Sequence, residues 1–157
     1  EGRGFKYILH GMNPERVLVA AEAVGIGRAA LTRAAKYARE RVVFDRPIGQ
    51  NQGIQHPLAE SWAELEAAHL MAFRAASLYD RKLPCGPQAN AAKYLAAEAA
   101  VKCCQTAMLT HGGYGYAKEY HVERLWRDCR LFRFAPVSEE MILNYVANHD
   151  LGMPRSY

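Results

Sequence analysis

Between residues 14 and 41 apolar side chains return every three or four positions. Leu18, Ala21, Val24 and Gly25, then Leu31, Ala35 and Ala38, fall at helical spacing. Asn13 is a good N-cap, Pro14 suits the first helical position, and Glu15 places a carboxylate in the first turn. The pattern predicts a helix from there to about Arg41, broken by FDRPIGQNQG at residues 44–53. A second helix is predicted from about Gln52 to Arg81. Leu58, Trp62, Leu65, Ala72 and Ala76 mark its buried side, and Glu60, Glu64 and Arg74 its wet side. After KLPCGP, a third runs from about Gln88 to Thr110. Ala92, Leu95, Ala96, Ala99 and Cys103 form its apolar stripe, opposite Glu98, Lys102 and Gln105. HGGYGY then stops it, because glycines past a helix end are the usual terminator. Short helices at about His121–Cys129 and Ser138–Asn148 complete the pattern.

Long helices joined by short breaks predict an all-α protein, an antiparallel (up-down) four-helix bundle with an extra short helix. Residues 1–12 hold Phe5, Tyr7, Ile8 and Leu9 between glycines and read as a strand end or an extended linker. The bundle domain is accordingly expected over residues 13–157.

Composition narrows the class. The 157 residues suffice for one domain with a real core, half of them are apolar, and alanine outweighs β-branched runs. The net charge of +4 comes from Lys and Arg interleaved with Glu and Asp, too weak a balance to suggest nucleic-acid binding. It suits an anionic small ligand such as a phosphate-bearing cofactor. Cys85, Cys103, Cys104 and Cys129 form no C-x-x-C pair, so neither a zinc site nor a disulfide framework is indicated. Reduced thiols in a cytoplasmic protein are expected. No apolar run is long enough to span a membrane.

Two stretches carry more information. AAEAVGIGRAALTRAAKYARERVVFDRPIGQNQGIQHPLAE at residues 20–60 and THGGYGYAKEYHVERLWRD at residues 110–128, with the order of helices around them, resemble the C-terminal helical domain of the flavoprotein acyl-CoA dehydrogenases. The resemblance covers nearly the whole chain. It implies that residues 1–12 are the tail of a preceding β-domain, and that a complete protein would carry that domain and an N-terminal helical one. It also implies FAD as cofactor and an acyl-CoA thioester as substrate. A homodimer or homotetramer with FAD at the subunit interface, and an electron-transfer flavoprotein-like acceptor, are implied as well.

Dehydrogenation of an acyl thioester needs a base for the α-proton and an acceptor for the β-hydrogen as hydride. In most of the family the base is a Glu ahead of a Gly-Thr pair at the start of the last helix. Here that position is Pro136, followed by Val137 and Ser138. A minority branch, similar to isovaleryl-CoA dehydrogenase, carries the Glu on the first helix of this domain, directly before an Arg. NPERVLVAA matches, with Glu15 as the implied base and Arg16 as a substrate contact. Position alone gives Glu15 a simpler role, since a carboxylate in a first turn gains about 0.3–1 kcal/mol from the helix dipole. Pro136 at the usual site favours catalysis. Glu139 and Glu140 are the rivals, more readily read as solvated charges at a helix start.

For the cofactor, the resemblance implies Arg41 on the FAD pyrophosphate across a dimer interface, where a guanidinium fork suits paired phosphate oxygens. Phe44 and Gln52 are further implied contacts, and Gly112 and Gly113 allow close backbone approach. Leu109 stands where the family usually has a Gln, removing one hydrogen bond to FAD, for which Thr110 or His111 could substitute. Ser138 and Glu140 match positions that often touch flavin. Arg127 and Asp128 read as structural salt bridging, and Trp62 and Trp126 as core or interface. The competing readings are an acyl-CoA oxidase or flavin monooxygenase of the same fold, or a non-catalytic helical interaction module.

Overall fold

The computed structural model describes residues 2–156. Helix α1 (Gly4–Glu40) leads into a two-residue hairpin, β1 (Val42–Val43) and β2 (Arg46–Pro47), and a 3-10 turn at Ile48–Gln50. Helices α2 (Gln52–Asp80) and α3 (Gly86–His111) follow. The shorter α4 (Val122–Asp128) and α5 (Glu139–Tyr145) alternate with 3-10 turns, and a π turn closes α5 at Val146–Asp150. No described helix is long and apolar enough to cross a membrane.

The three long helices run up, down and up. Arg28 on α1 bonds Glu66 on α2, while Val17 and Ala21 share a groove with Ala76. Ser61 on α2 meets Thr106 on α3, and Glu60 and Glu64 reach Lys102. Both pairs are therefore antiparallel, as short connections require. Helix α3 is the central element, packed against α1 and α2 and also against α4 and α5.

Small residues set the spacing. Ala20, Ala23, Ala30 and Ala34 of α1, Ala68, Ala72 and Ala75 of α2, and Ala89, Ala92, Ala96 and Ala100 of α3 are buried. Gly27 lets α1 approach α2, since a Cβ there would lie 2.8 Å from Leu65 Cδ1. Leu65 itself is fully buried, worth about 1.5–3 kcal/mol by removal of its surface from water.

This packing corrects several expectations. Helix α1 begins at Gly4, so residues 4–12 are helix rather than strand or linker, and Asn13 is not an N-cap. Pro14 lies within the helix, and Glu15 is eleven residues from its first residue rather than in its first turn. The inward line of α1 is mostly alanine with Gly27, joined by Val24, Leu31 and Ala38 as predicted, but Leu18 is 64% exposed and Ala21 and Gly25 also face outward. On α2 the inward line is Ser61, Leu65, Ala68, Ala72 and Ala75. Trp62 is one residue, about 100°, away from it and is 59% exposed rather than core. On α3, Leu95 shares the exposed line with Gln105 and Leu109. Glu98 turns from Lys102 toward Arg133 of the 3-10 turn before α5. Arg127 and Asp128 do make ion pairs, with Glu123 at 2.9 Å and Arg124 at 3.2 Å, one turn away along α4.

The cysteines are buried and free. Cys103 donates to the Ser61 carbonyl on α2 at 3.5 Å, and burial pushes its thiol up to about 12. Cys104 bonds instead with Cys129, which raises its pKa.

Candidate functional site

One end of the bundle gathers the ends of α1 and α3. Arg41 caps α1. Its N–H donates to the Tyr37 carbonyl at 2.8 Å, and its carbonyl accepts from Ile48 N–H at 2.9 Å. Its backbone is thus fixed by the helix and by the turn after the hairpin. The guanidinium lies over the Tyr114 ring, 5.6 Å from the centroid. Opposite, α3 ends at Gly112 with φ 59° and ψ −134°, a conformation that favours glycine. A Cβ on Gly112 or Gly113 would meet nothing within 4 Å, so the backbone there is bare. Gly115 is the reverse case, because a Cβ would lie 2.6 Å from the Met108 carbonyl oxygen.

Aromatic rings floor this corner. His111, buried, stacks on Tyr37 at 4.3 Å, and its Nδ1 bonds the Ala107 carbonyl at 2.8 Å. Tyr120 meets both rings edge-on. Burial raises the Tyr37 pKa, opposed by the nearby positive charge of Arg41. Between the two helix ends lies an open cleft of about 440 Å³, walled by Tyr37, Arg41, Leu109, Gly112, Gly113 and Tyr114 among others. Among the described residues Arg41 makes no ion pair.

Of the positions the resemblance assigned to FAD, the structure brings Arg41, Leu109, Gly112 and Gly113 together on this cleft. Phe44 and Gln52 do not line it. Phe44 is 94% exposed on the hairpin turn, where it and Asp45 both take positive φ, and Gln52 opens α2 with its side chain in solvent. Thr110 donates its hydroxyl to the Thr106 carbonyl at 2.8 Å, so that hydroxyl proton is spent within α3.

Toward the start of the bundle, Glu15 and Arg16 divide between surface and interior. Arg16 is 8% exposed; it donates to Asn13 Oδ1 at 2.6 Å, and its Nε has no partner among the described residues. Burial lowers its pKa, against the opposing influence of Tyr145 and Cys85. Those two residues line a cavity of about 920 Å³ with His10 and Asn13. Asn13, read as a cap, is thus the partner of a buried guanidinium. Glu15 is exposed on α1. The dipole acts within the first turn, so the helix-start reading of Glu15 has no helix end to act from.

The start of α5 forms a third cluster. Ser138 caps the helix, its Oγ accepting from Met141 N–H at 3.4 Å. Backbone and Ser138 hydrogen bonds hold Glu140 below the ordinary carboxylate range. Glu139 is different. Burial, reinforced by Glu98, pushes it up to about 7, while Arg133 at 3.8 Å and Lys93 oppose. Lys93 of α3 is wholly buried, its Nζ has no partner among the described residues, and burial lowers its pKa. Ser138 and Glu140 do not border the Arg41 cleft. Sequence reasoning missed Lys93, whose signal was its position between Ala89, Ala92 and Ala96 on the stripe. It also missed Tyr37 and Tyr114, which are visible only as aromatics beside a helix end.

Three helices, a fourth side built from shorter ones, and an arginine facing a bare glycine corner define a helical domain with an open, cation-bordered cleft at one end. The acyl-CoA dehydrogenase C-terminal domain family matches residues 2–150. The chain belongs to that family. It is 47% identical over 159 aligned residues to acyl-CoA dehydrogenase FadE12 of Mycobacterium tuberculosis, covering 100% of this chain and 41% of the relative. Butyryl-CoA dehydrogenase from Megasphaera elsdenii superposes with a TM-score of 0.94 at 34% identity, over 96% of this chain and 39% of that one. The prolyl acyl carrier protein oxidase AnaB superposes with a TM-score of 0.92 at 31% identity, over 98% and 40%. The chain thus spans about two-fifths of the length of the proteins it matches.

Proposed function

We propose that the protein carrying this chain is an FAD-dependent acyl-CoA dehydrogenase, with Glu15 as the base that removes the α-proton. The observation that carries the assignment of the base is the exchange of residues within a shown family. Proline stands at position 136, where a carboxylate is usual, and a carboxylate stands at Glu15, beside a buried arginine. The Ala135–Pro136 segment offers no proton acceptor in its side chains.

The cleft fits the pyrophosphate part of FAD. Arg41 supplies a fork-shaped cation with no competing carboxylate among the described residues, and Gly112 and Gly113 leave room for phosphate oxygens against the main chain. FAD, when bound, supplies the hydride acceptor. Phe44 and Gln52, both exposed on the same end of the bundle, are available to a cofactor that extends beyond the cleft or is shared with a second subunit. Ser138 and Glu140 are available in the same way from the start of α5.

Glu15 is exposed on this domain, and its role as the base is proposed to require a further domain laid over it. Covering would remove water from the carboxylate and strengthen it as a base. Arg16 is proposed as a substrate contact from the cavity side of α1, near Cys85 and Tyr145, with Asn13 holding its guanidinium. The working protein is proposed to be a homodimer or homotetramer that passes electrons to an electron-transfer flavoprotein-like acceptor.

The test is Glu15→Gln in the full-length enzyme, with anaerobic bleaching of the flavin by a panel of acyl-CoAs. Loss of bleaching with FAD content unchanged is expected. Normal bleaching would reassign the base to Glu139 or Glu140. The likeness to an acyl carrier protein oxidase favours one second reading, an acyl-CoA oxidase. Rapid reoxidation of the reduced flavin by molecular oxygen, without a carrier protein, would select it.

A further inference from the structure

We infer that Tyr114 is a positioning residue, holding the Arg41 guanidinium over the cleft in the orientation that receives paired phosphate oxygens. The inference rests on the proposal that Arg41 binds the FAD pyrophosphate. It adds how an arginine on the surface comes to be aimed.

The Arg41 side chain is long, exposed and without an ion pair among the described residues, so its backbone anchors do not fix its head group. The Tyr114 ring, 5.6 Å from Arg41 Cζ, lies within the distance at which an aromatic face attracts a cation. That ring is itself held. Tyr120 packs against it at 5.2 Å and Tyr37 meets it edge-on at 6.4 Å. The next residue, Gly115, is wedged so closely on Met108 that the main chain beneath the ring cannot shift inward. The ring holds the cation through its face and takes none of its N–H groups, which have no partner among the described residues and are the donors that pair with two phosphate oxygens at once. Tyr114 and Arg41 are neighbours on the wall of the same cleft as the bare glycines, so the aimed cation and the open main chain face one ligand.

The experiment measures FAD dissociation constants by titrating the full-length apoprotein. The proteins compared are the parent, Tyr114→Phe, Tyr114→Leu, Arg41→Ala and the Arg41→Ala/Tyr114→Leu double variant, with Tm as a check on folding. Tyr114→Phe keeps an aromatic face and is expected to bind like the parent. Tyr114→Leu is expected to weaken binding about two- to five-fold, the range of an exposed cation–ring contact. Arg41→Ala is expected to weaken it further, and adding Tyr114→Leu to Arg41→Ala is expected to change nothing more. Equal weakening by Tyr114→Leu with and without Arg41 overturns the inference, because the ring would then act on its own. Parent-like binding by Tyr114→Leu overturns it too. Parent-like binding by Arg41→Ala would instead overturn the underlying reading of the cleft.

Discussion

Two glycines separated by a single residue, Gly113 and Gly115, should respond to the same added methyl group in opposite ways. In Gly115→Ala the new Cβ would sit 2.6 Å from the Met108 carbonyl oxygen, 3.1 Å from its Cα and 3.3 Å from His111 Cβ. Ordinary contact begins at 3.4 Å, so the carbonyl is about 0.8 Å too close, and it belongs to the last turn of α3 rather than to a flexible side chain. Relief requires the 3-10 turn to lift off the helix. Overpacking of this kind costs about 1–3 kcal/mol. For a domain of this size each kcal/mol lowers Tm by about 2–4 °C, so a fall of several degrees is expected in the apoprotein. In Gly113→Ala the methyl group meets nothing within 4 Å, and Tm should hold or rise slightly as the unfolded chain loses freedom. Its effect appears on the cofactor. A methyl group that keeps a phosphate oxygen from a main-chain N–H forfeits a hydrogen bond to a charged group, about 1.5–3 kcal/mol, or roughly ten- to a hundred-fold in FAD affinity. Calorimetry of the apoproteins and FAD titration read the two effects separately. An unchanged Tm for Gly115→Ala would refute the close packing on Met108. Unchanged FAD binding by Gly113→Ala, with Tm intact, would refute the placement of the cofactor in this cleft.

Two further predictions probe the interior. Ser61→Ala should lower stability by about 1–3 kcal/mol, since it strands the buried Thr106 hydroxyl now 3.0 Å from Ser61 Oγ; adding Thr106→Val should recover most of that in urea denaturation. Glu139 titrates near 7 in the folded chain against 4.5 as its ordinary value. Its raised pKa favours folding below about 4.5, and that contribution is lost as pH rises through about 7. Glu139→Gln should therefore gain on the parent between pH 5 and pH 8, by up to about 3 kcal/mol, read from urea midpoints at the two pH values. A constant difference between the two proteins across that range would show that Glu139 does not carry the titration.

Helix number, order and most boundaries were legible because Pro47, the KLPCGP segment and the glycines after His111 interrupt helical periodicity where the chain turns. The inward faces were harder to read because this core is built from alanine. Large apolar residues guided the choice of face, but Leu18, Trp62 and Leu95 are exposed while Ala20, Ser61 and Ala100 are buried. Close helix approach, not side-chain size, decides burial here. The cleft was legible where main-chain chemistry leaves a sequence mark, as with Arg41 at a helix end and Gly112 at its terminator. Tyr114 and Lys93 left only faint marks, an aromatic beside a helix end and a lysine on an alanine stripe, since their roles arise from neighbours far along the chain.

The start of α1 shows how a local rule can give the wrong structure and still leave the chemical question standing. Asn13, Pro14 and Glu15 satisfy the pattern of a helix N-terminus, yet the helix extends back to Gly4. Proline at position 14 removes only its own N–H from the helical ladder, at the carbonyl of His10, and the helix continues through that gap. Asn13, released from capping, accepts the hydrogen bond of buried Arg16. That arrangement fixes the arginine and turns the preceding carboxylate outward on a rigid helix instead of a fraying end. The first-turn dipole would have stabilised the Glu15 anion and weakened it as a base. With no helix end there, that objection to Glu15 as the proton acceptor disappears. What remains to make it a stronger base is dehydration by whatever covers α1. The proposed base at position 15 would act from a mid-helix site, on a stretch of α1 whose end does not fray, with its side chain free to meet the substrate.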